Sequence, residues 1–149
     1  MLKGFVRGLR RTGLLPREKR ESVVILNHNP ADAKTPADVE FFVTVDALVR
    51  ELRSNDLLEG GYYAVDSTGR VVTMRPLGEG PDDPIEATMA RHASEAQLAQ
   101  RMIKHFLLSE LEEEESDHAP DAKQRHLIER EHDTARLLEM IPENVLTGR

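Results

Sequence analysis

The chain has 149 residues, no cysteine, 32% charged residues and a net charge of −7. A chain of that length buries roughly two-thirds of the surface its unfolded form exposes, so a single core suffices without a covalent staple. The absence of cysteine excludes disulfides, thiolate catalysis and Cys-ligated zinc, and with no apolar run near the roughly 20 residues of a membrane span the sequence reads as a small, acidic, soluble domain of a reducing compartment such as the cytoplasm.

Residues 1–21 form a basic arm and connector. Lys3, Arg7, Arg10, Arg11, Arg17, Lys19 and Arg20 stand against Glu18 and Glu21, a net charge of +5 that leaves −12 on the remainder. Leu2, Phe5, Val6 and Leu9 fall at helical spacing, which predicts a short N-terminal amphipathic helix. Gly4 and Gly8 each weaken it by about 1 kcal/mol relative to alanine, so it needs a surface to dock on. Its cations Lys3, Arg7, Arg10 and Arg11, with Phe5 and Leu9 as apolar anchors, are the expected partner-binding residues. That partner is another protein or a second copy of the chain; peripheral membrane contact through residues 1–12 is an alternative use of the same face.

Residues 22–76 are expected to hold a β-rich core of ββαββ order. Ser22–Asn27 is a continuous apolar run, as in a strand buried on both faces. His28–Asp38 carries two prolines and reads as a loop. Val39–Val45 alternates apolar with polar residues and is rich in β-branched side chains, which predicts a strand. Thr35-Pro36 looks like a helix start at the same place, and a helix over 36–53 is the competing reading. Asp46 is the expected cap of a short helix over 46–55, and Gly60-Gly61 closes the turn after it. Tyr62–Asp66 and Arg70–Arg75 then form a hairpin, with Asp66-Ser67-Thr68-Gly69 suited to a type I turn and a glycine bulge.

Leu77–Pro84 reads as a linker, and residues 84–141 as a helical pair. Asp83-Pro84-Ile85-Glu86 supplies a cap, a first-turn proline and an acid, so a long helix is expected over 85–113. Its inward stripe would be Ile85, Met89, Ala93, Ala96, Ala99, Ile103, Phe106 and Leu107. A last helix over 122–141 would turn Leu127, Ile128, Ala135, Leu138 and Ile141 inward, ending at Pro142. The fold class is therefore α+β: roughly a four-stranded antiparallel sheet (22–27, 39–45, 61–66, 70–75), packed on one face by the two long C-terminal helices.

The chemistry-bearing residues argue for a binding module rather than an enzyme. Glu115-Ser116-Asp117-His118 and Glu129-Arg130-Glu131-His132 both read Glu-x-x-His, but the four long helices of a di-metal carboxylate bundle are not in this pattern. His132 falls on an apolar stripe and His92 and His105 border another, so structural histidines are expected. His28 follows a buried strand and reads as a loop histidine. No serine sits in a nucleophile elbow, and Gly78-Glu79-Gly80 is no phosphate loop. Among the acids, Asp46 and Asp66 stand out only for terminating strands. No catalytic, metal or cofactor-binding residue is expected.

Three functions are ranked on this basis. The first is a non-catalytic protein-interaction module, adaptor-like or inhibitor-like, that self-associates or binds another protein. The second is a winged-helix-like DNA-binding regulator using helix 46–55 and hairpin 61–75, with Arg50, Arg53, Arg70 and Arg75 as contacts. The acids interleaved with those arginines, and the −12 on the body, disfavour a nucleic-acid partner. The third is a small hydrolase or metal-dependent enzyme.

Overall fold

The computed structural model describes residues 23–114 and 122–148. The expected N-terminal helix, with Lys3, Phe5, Arg7, Leu9, Arg10 and Arg11, lies outside the described residues, as does the Glu115–His118 motif.

The described chain folds as α+β around one curled, mixed sheet. Its strands are β1 (Val24–His28), β2 (Asp38–Phe42), β3 (Tyr62–Asp66), β4 (Arg70–Pro76), β5 (Ile85–Ala93) and β6 (Leu146–Thr147), in the spatial order β5-β4-β3-β1-β2-β6. Neighbours run antiparallel except β2 and β6, which are parallel. The helices are α1 (Val45–Glu51), α2 (Ser54–Leu58), α3 (Ala96–Glu114), α4 (Ala122–Arg130) and α5 (Thr134–Glu139), with a 3-10 turn at Glu143–Val145.

β1 is the spine. Val23, Val24, Ile25 and Leu26 are all at most 1% exposed, because both faces of the strand are covered. Successive residues point to opposite faces, so two cores form. Ile25, Val39, Phe41 and Val65 meet Leu98, Ala99, Met102 and Ile103 of α3 and Leu137 and Leu138 of α5. Val24, Leu26, Phe42, Ala64, Val72 and Ile85 meet Ala47, Leu48 and Leu52 on and just after α1. α1 touches both β2 and β5, and the sheet curls around it.

The expected hairpin is present, with Ala64 opposite Val72 and Val65 opposite Val71. Gly69 has φ +99, and a Cβ there would come within 2.3 Å of the Ala96 backbone. Only glycine fits that conformation and approach. Its carbonyl accepts from Ser94 and Glu95, tying the hairpin turn to the entry of α3.

Several expectations are corrected. The sheet has six strands, not four, and is mixed rather than antiparallel. Helices cover both its faces, not one. The second strand ends at Phe42, and Val45 already belongs to α1. Thr44, not Asp46, caps that helix, its hydroxyl accepting from the Ala47 N–H, and the helix ends at Glu51 before a separate α2.

The largest correction is Ile85–Ala93, a strand rather than the first turns of a helix. The cap-like Asp83 instead accepts from the Gly80 N–H and closes the 77–84 loop on itself. Pro84 fixes a backbone angle that suits extended chain as well as a helix start. Ile85, Ala87 and Met89 face α1 at period two, and pairing with β4 overrides the helical preference of Ala and Met.

α3 accordingly begins at Ala96, with Leu98, Met102 and Leu111 buried beside the expected Ala99, Ile103 and Leu107. The last helix is broken in two, because Asp133 caps a new start by accepting from Ala135 N–H. Leu127 is 57% exposed rather than inward.

Candidate functional site

The carboxyl end of β1 gathers the residues with unusual surroundings. Asn27 is fully buried. Its amide nitrogen donates to the carbonyls of Ala33 (2.7 Å) and Thr35 (3.0 Å), and its oxygen accepts from the Ala37 N–H (2.8 Å). That single side chain pins the loop 29–37 to the sheet. Gly61, at φ +77, lets β3 pass this loop, since a Cβ there would lie 2.6 Å from the Cα of Pro30.

On the helix-α1 side of this end, the His28 ring stacks on Tyr62 with centroids 4.2 Å apart and planes 13° from parallel. The register sets His28 beside both Asp38 and Tyr62. The His28 Nε2 is enclosed and has no hydrogen-bond partner among the described residues.

Acids from three elements meet here: Asp38 and Glu40 on β2 and Asp56 and Glu59 on and just after α2 act on Tyr62, and Glu51 on α1 acts on Glu40. The Glu40 carboxyl is pushed up, first by the protein mass that displaces water from it, then by repulsion from Asp38, Glu51 and Asp56. The Tyr62 phenol is pushed up for the same two reasons, burial first, then the charges of Asp56, Glu59, Glu40 and Asp38. No ion pair joins Asp38, Glu40, Glu51 or Glu59 to a cation among the described residues. Asp56 has a structural duty as well, accepting from the Arg53 N–H at the start of α2.

The opposite side of the same end is built differently. Glu95 accepts from the Tyr63 hydroxyl (3.0 Å) and pairs with Lys34 (3.0 Å), whose ammonium also lies 5.2 Å from the Tyr63 ring centre. Those hydrogen bonds, from Lys34 first and Tyr63 second, hold the Glu95 carboxyl below its usual range. This charge-matched trio straps the 29–37 loop to the α3 entry.

Chemically, the His28 end is an anionic surface with an aromatic floor. No group of three or more His, Asp or Glu residues is placed to hold a metal ion among the described residues. No described helix is long and apolar enough to cross a membrane.

The other predicted residues scatter. His132 is exposed between α4 and α5, not on an apolar stripe, and its carbonyl accepts from Gln100. His105 bonds the Ala37 carbonyl at 2.9 Å, a structural contact, whereas His92 is exposed on β5. Of the arginines proposed for DNA, Arg53 donates to the Arg50 and Leu52 carbonyls, Arg70 pairs with Asp66, and Arg75 pairs with Glu86. Asp46 is exposed and Asp66 is a buried turn residue.

Spacing along the sequence selects none of the acids of the His28 end. They come together only through the β1–β2 register and the direction in which α1 and α2 run. Comparison with known protein families, with curated proteins and with solved structures found no match in any of the three.

Proposed function

We propose that this protein is a non-catalytic protein-interaction module that takes a cationic segment at the His28 end of its sheet. The observation that supports the reading is the set of carboxylates Asp38, Glu40, Glu51 and Glu59 with no ion-pair partner among the described residues; Glu40, pushed up first by burial and then by repulsion from its acidic neighbours, is the one whose charge an incoming cation would most relieve. The exposed part of the Tyr62–His28 stack offers such a segment an aromatic contact for Arg or Lys.

The chain carries a fitting segment itself. Residues 1–12 hold Lys3, Arg7, Arg10 and Arg11 with Phe5 and Leu9 between them and no acid. The arm of a second copy is thus the partner of first choice, and a basic stretch of another protein would use the same surface.

The test is titration of a labelled peptide of residues 1–12 into the full chain and into a Glu40→Gln, Glu51→Gln, Glu59→Gln variant. The expected result is salt-sensitive binding to the wild type and about tenfold weaker binding to the variant, since each rim charge contributes a few tenths of a kcal/mol to one. Equal affinity for both proteins, or no binding at low salt, would overturn the reading.

A further inference from the structure

The His28 ring carries a nitrogen that the fold leaves without a partner. Its Nε2 is enclosed, and no described residue bonds it. The ring lies flat on Tyr62, with centroids 4.2 Å apart. A neutral imidazole tolerates this place, because one of its two nitrogens carries no proton and can do without an acceptor. A protonated imidazole does not. Both nitrogens are then donors, and an enclosed cationic N–H with no acceptor costs far more than a neutral nitrogen in the same place.

Acceptors stand close by, outside the stack. Asp38 is directly opposite His28 across the β1–β2 ladder, and Glu40 is opposite Leu26. Both side chains therefore leave the same face of the sheet as the imidazole, and both residues are exposed. The Glu40 carboxyl is pushed up by burial first and then by Asp38, Glu51 and Asp56, and the charge that opposes them is that of His28. Glu59, after α2, and the Tyr62 phenol on β3 complete the ionisable groups that meet at this end. In the adjoining loop Lys34 is committed to Glu95 and Asp32 to Thr35, and the Arg53 guanidinium is held by the carbonyls of Arg50 and Leu52.

We propose that His28 is a proton-operated switch on this surface: protonation draws its ring out of the Tyr62 stack toward Asp38 and Glu40 and so weakens the hold on a cationic segment. The aromatic floor and part of the negative charge are lost together. Histidine is the side chain that ordinarily changes charge between about pH 5 and 8, so the surface is open at neutral pH and closes on mild acidification. The proton and the cationic segment compete for the same carboxylates, so each lowers the affinity for the other by the same factor. The inference rests on the reading of the His28 end as a surface for a cationic segment, and adds the condition under which it binds.

The experiment has two arms. In the first, N-acetylated peptide of residues 1–12 is titrated at about pH 7.5 and about pH 5.5 into the full chain and into its His28→Phe variant, which keeps a ring at this position and cannot titrate. Each protein is compared with itself. The wild type binds about threefold to tenfold more weakly in acid, the effect of a charge pair and an aromatic contact changed together. The variant weakens by about twofold or less, since only the screened carboxylates titrate. In the second arm, the free full chain is followed by NMR over the same range. Cross-relaxation between the His28 and Tyr62 rings fades as the imidazole protonates.

Rings that stay in contact after His28 is protonated would overturn the inference, whatever the peptide does. So would the same loss of affinity in acid for both proteins; salt-sensitive binding at neutral pH would then leave the reading of the surface standing. Binding at neutral pH that ignores Glu40, Glu51 and Glu59 would overturn both.

Discussion

The two ends of the central strands treat acidic side chains in opposite ways. At the hairpin end, Asp66 is 1% exposed, and one of its oxygens accepts from Thr68 N–H (3.0 Å), Thr68 hydroxyl (2.7 Å) and Arg70 N–H (2.8 Å). Its other oxygen meets the Arg70 guanidinium at 3.3 Å. At the His28 end, the exposed Asp38, Glu40, Glu51 and Glu59 have no ion-pair partner among the described residues. The first arrangement uses its lone pairs inside the fold and leaves little for a partner. The second gains nothing for the fold and leaves its charge available. That difference, rather than the presence of acids, separates a structural carboxylate from a candidate contact.

The largest expected effect tests the hairpin end. Asp66→Ala strands three donors and a guanidinium at a buried turn, and should cost about 3 kcal/mol in chemical denaturation. Asn27→Ala tests whether the His28 end owes its shape to one amide. It releases the 29–37 loop and should cost about 2 kcal/mol, and because Lys34 sits on that loop its ion pair with Glu95 should break as well.

Two glutamates then give opposite signs with pH. The Glu95 carboxyl is depressed in the fold, so its contribution is present at neutral pH and is lost as pH falls below the ordinary carboxylate range. Glu95→Gln should therefore destabilise at neutral pH and converge with wild type in acid. The Glu40 carboxyl is raised, so its charged form opposes folding above its folded value and ceases to do so as pH falls through it. Glu40→Gln should stabilise the protein at neutral pH, by about half a kcal/mol or less because the residue is exposed and screened, and again converge in acid. Thermal melts across the pH series check both. Equal signs for the two variants would break the comparison.

The parts of the fold legible in the sequence are those whose signals are local. The run Val23–Leu26 announces a strand buried on both sides, and Asp66 through Gly69 announces its own turn, because only glycine tolerates that backbone angle. Val39–Phe42 is legible by alternation, but its end is not, since Thr44 as cap and Asp46 as cap read alike.

β5 is not legible. Pro84 and Glu86 carry a helix-start signature, and the period-two pattern of Ile85, Ala87 and Met89 is weak in residues that favour helices. Pairing with β4 decides, and pairing is not local. The acids of the His28 end are hidden for the same reason: Glu40, Glu51 and Glu59 belong to three segments and become neighbours only after the sheet curls around α1.

The most direct measurement is the affinity of the residue 1–12 peptide for the full chain, with and without the charges of Glu40, Glu51 and Glu59. Salt-sensitive binding that falls about tenfold on neutralisation is the predicted result. Binding that ignores those three side chains would contradict it.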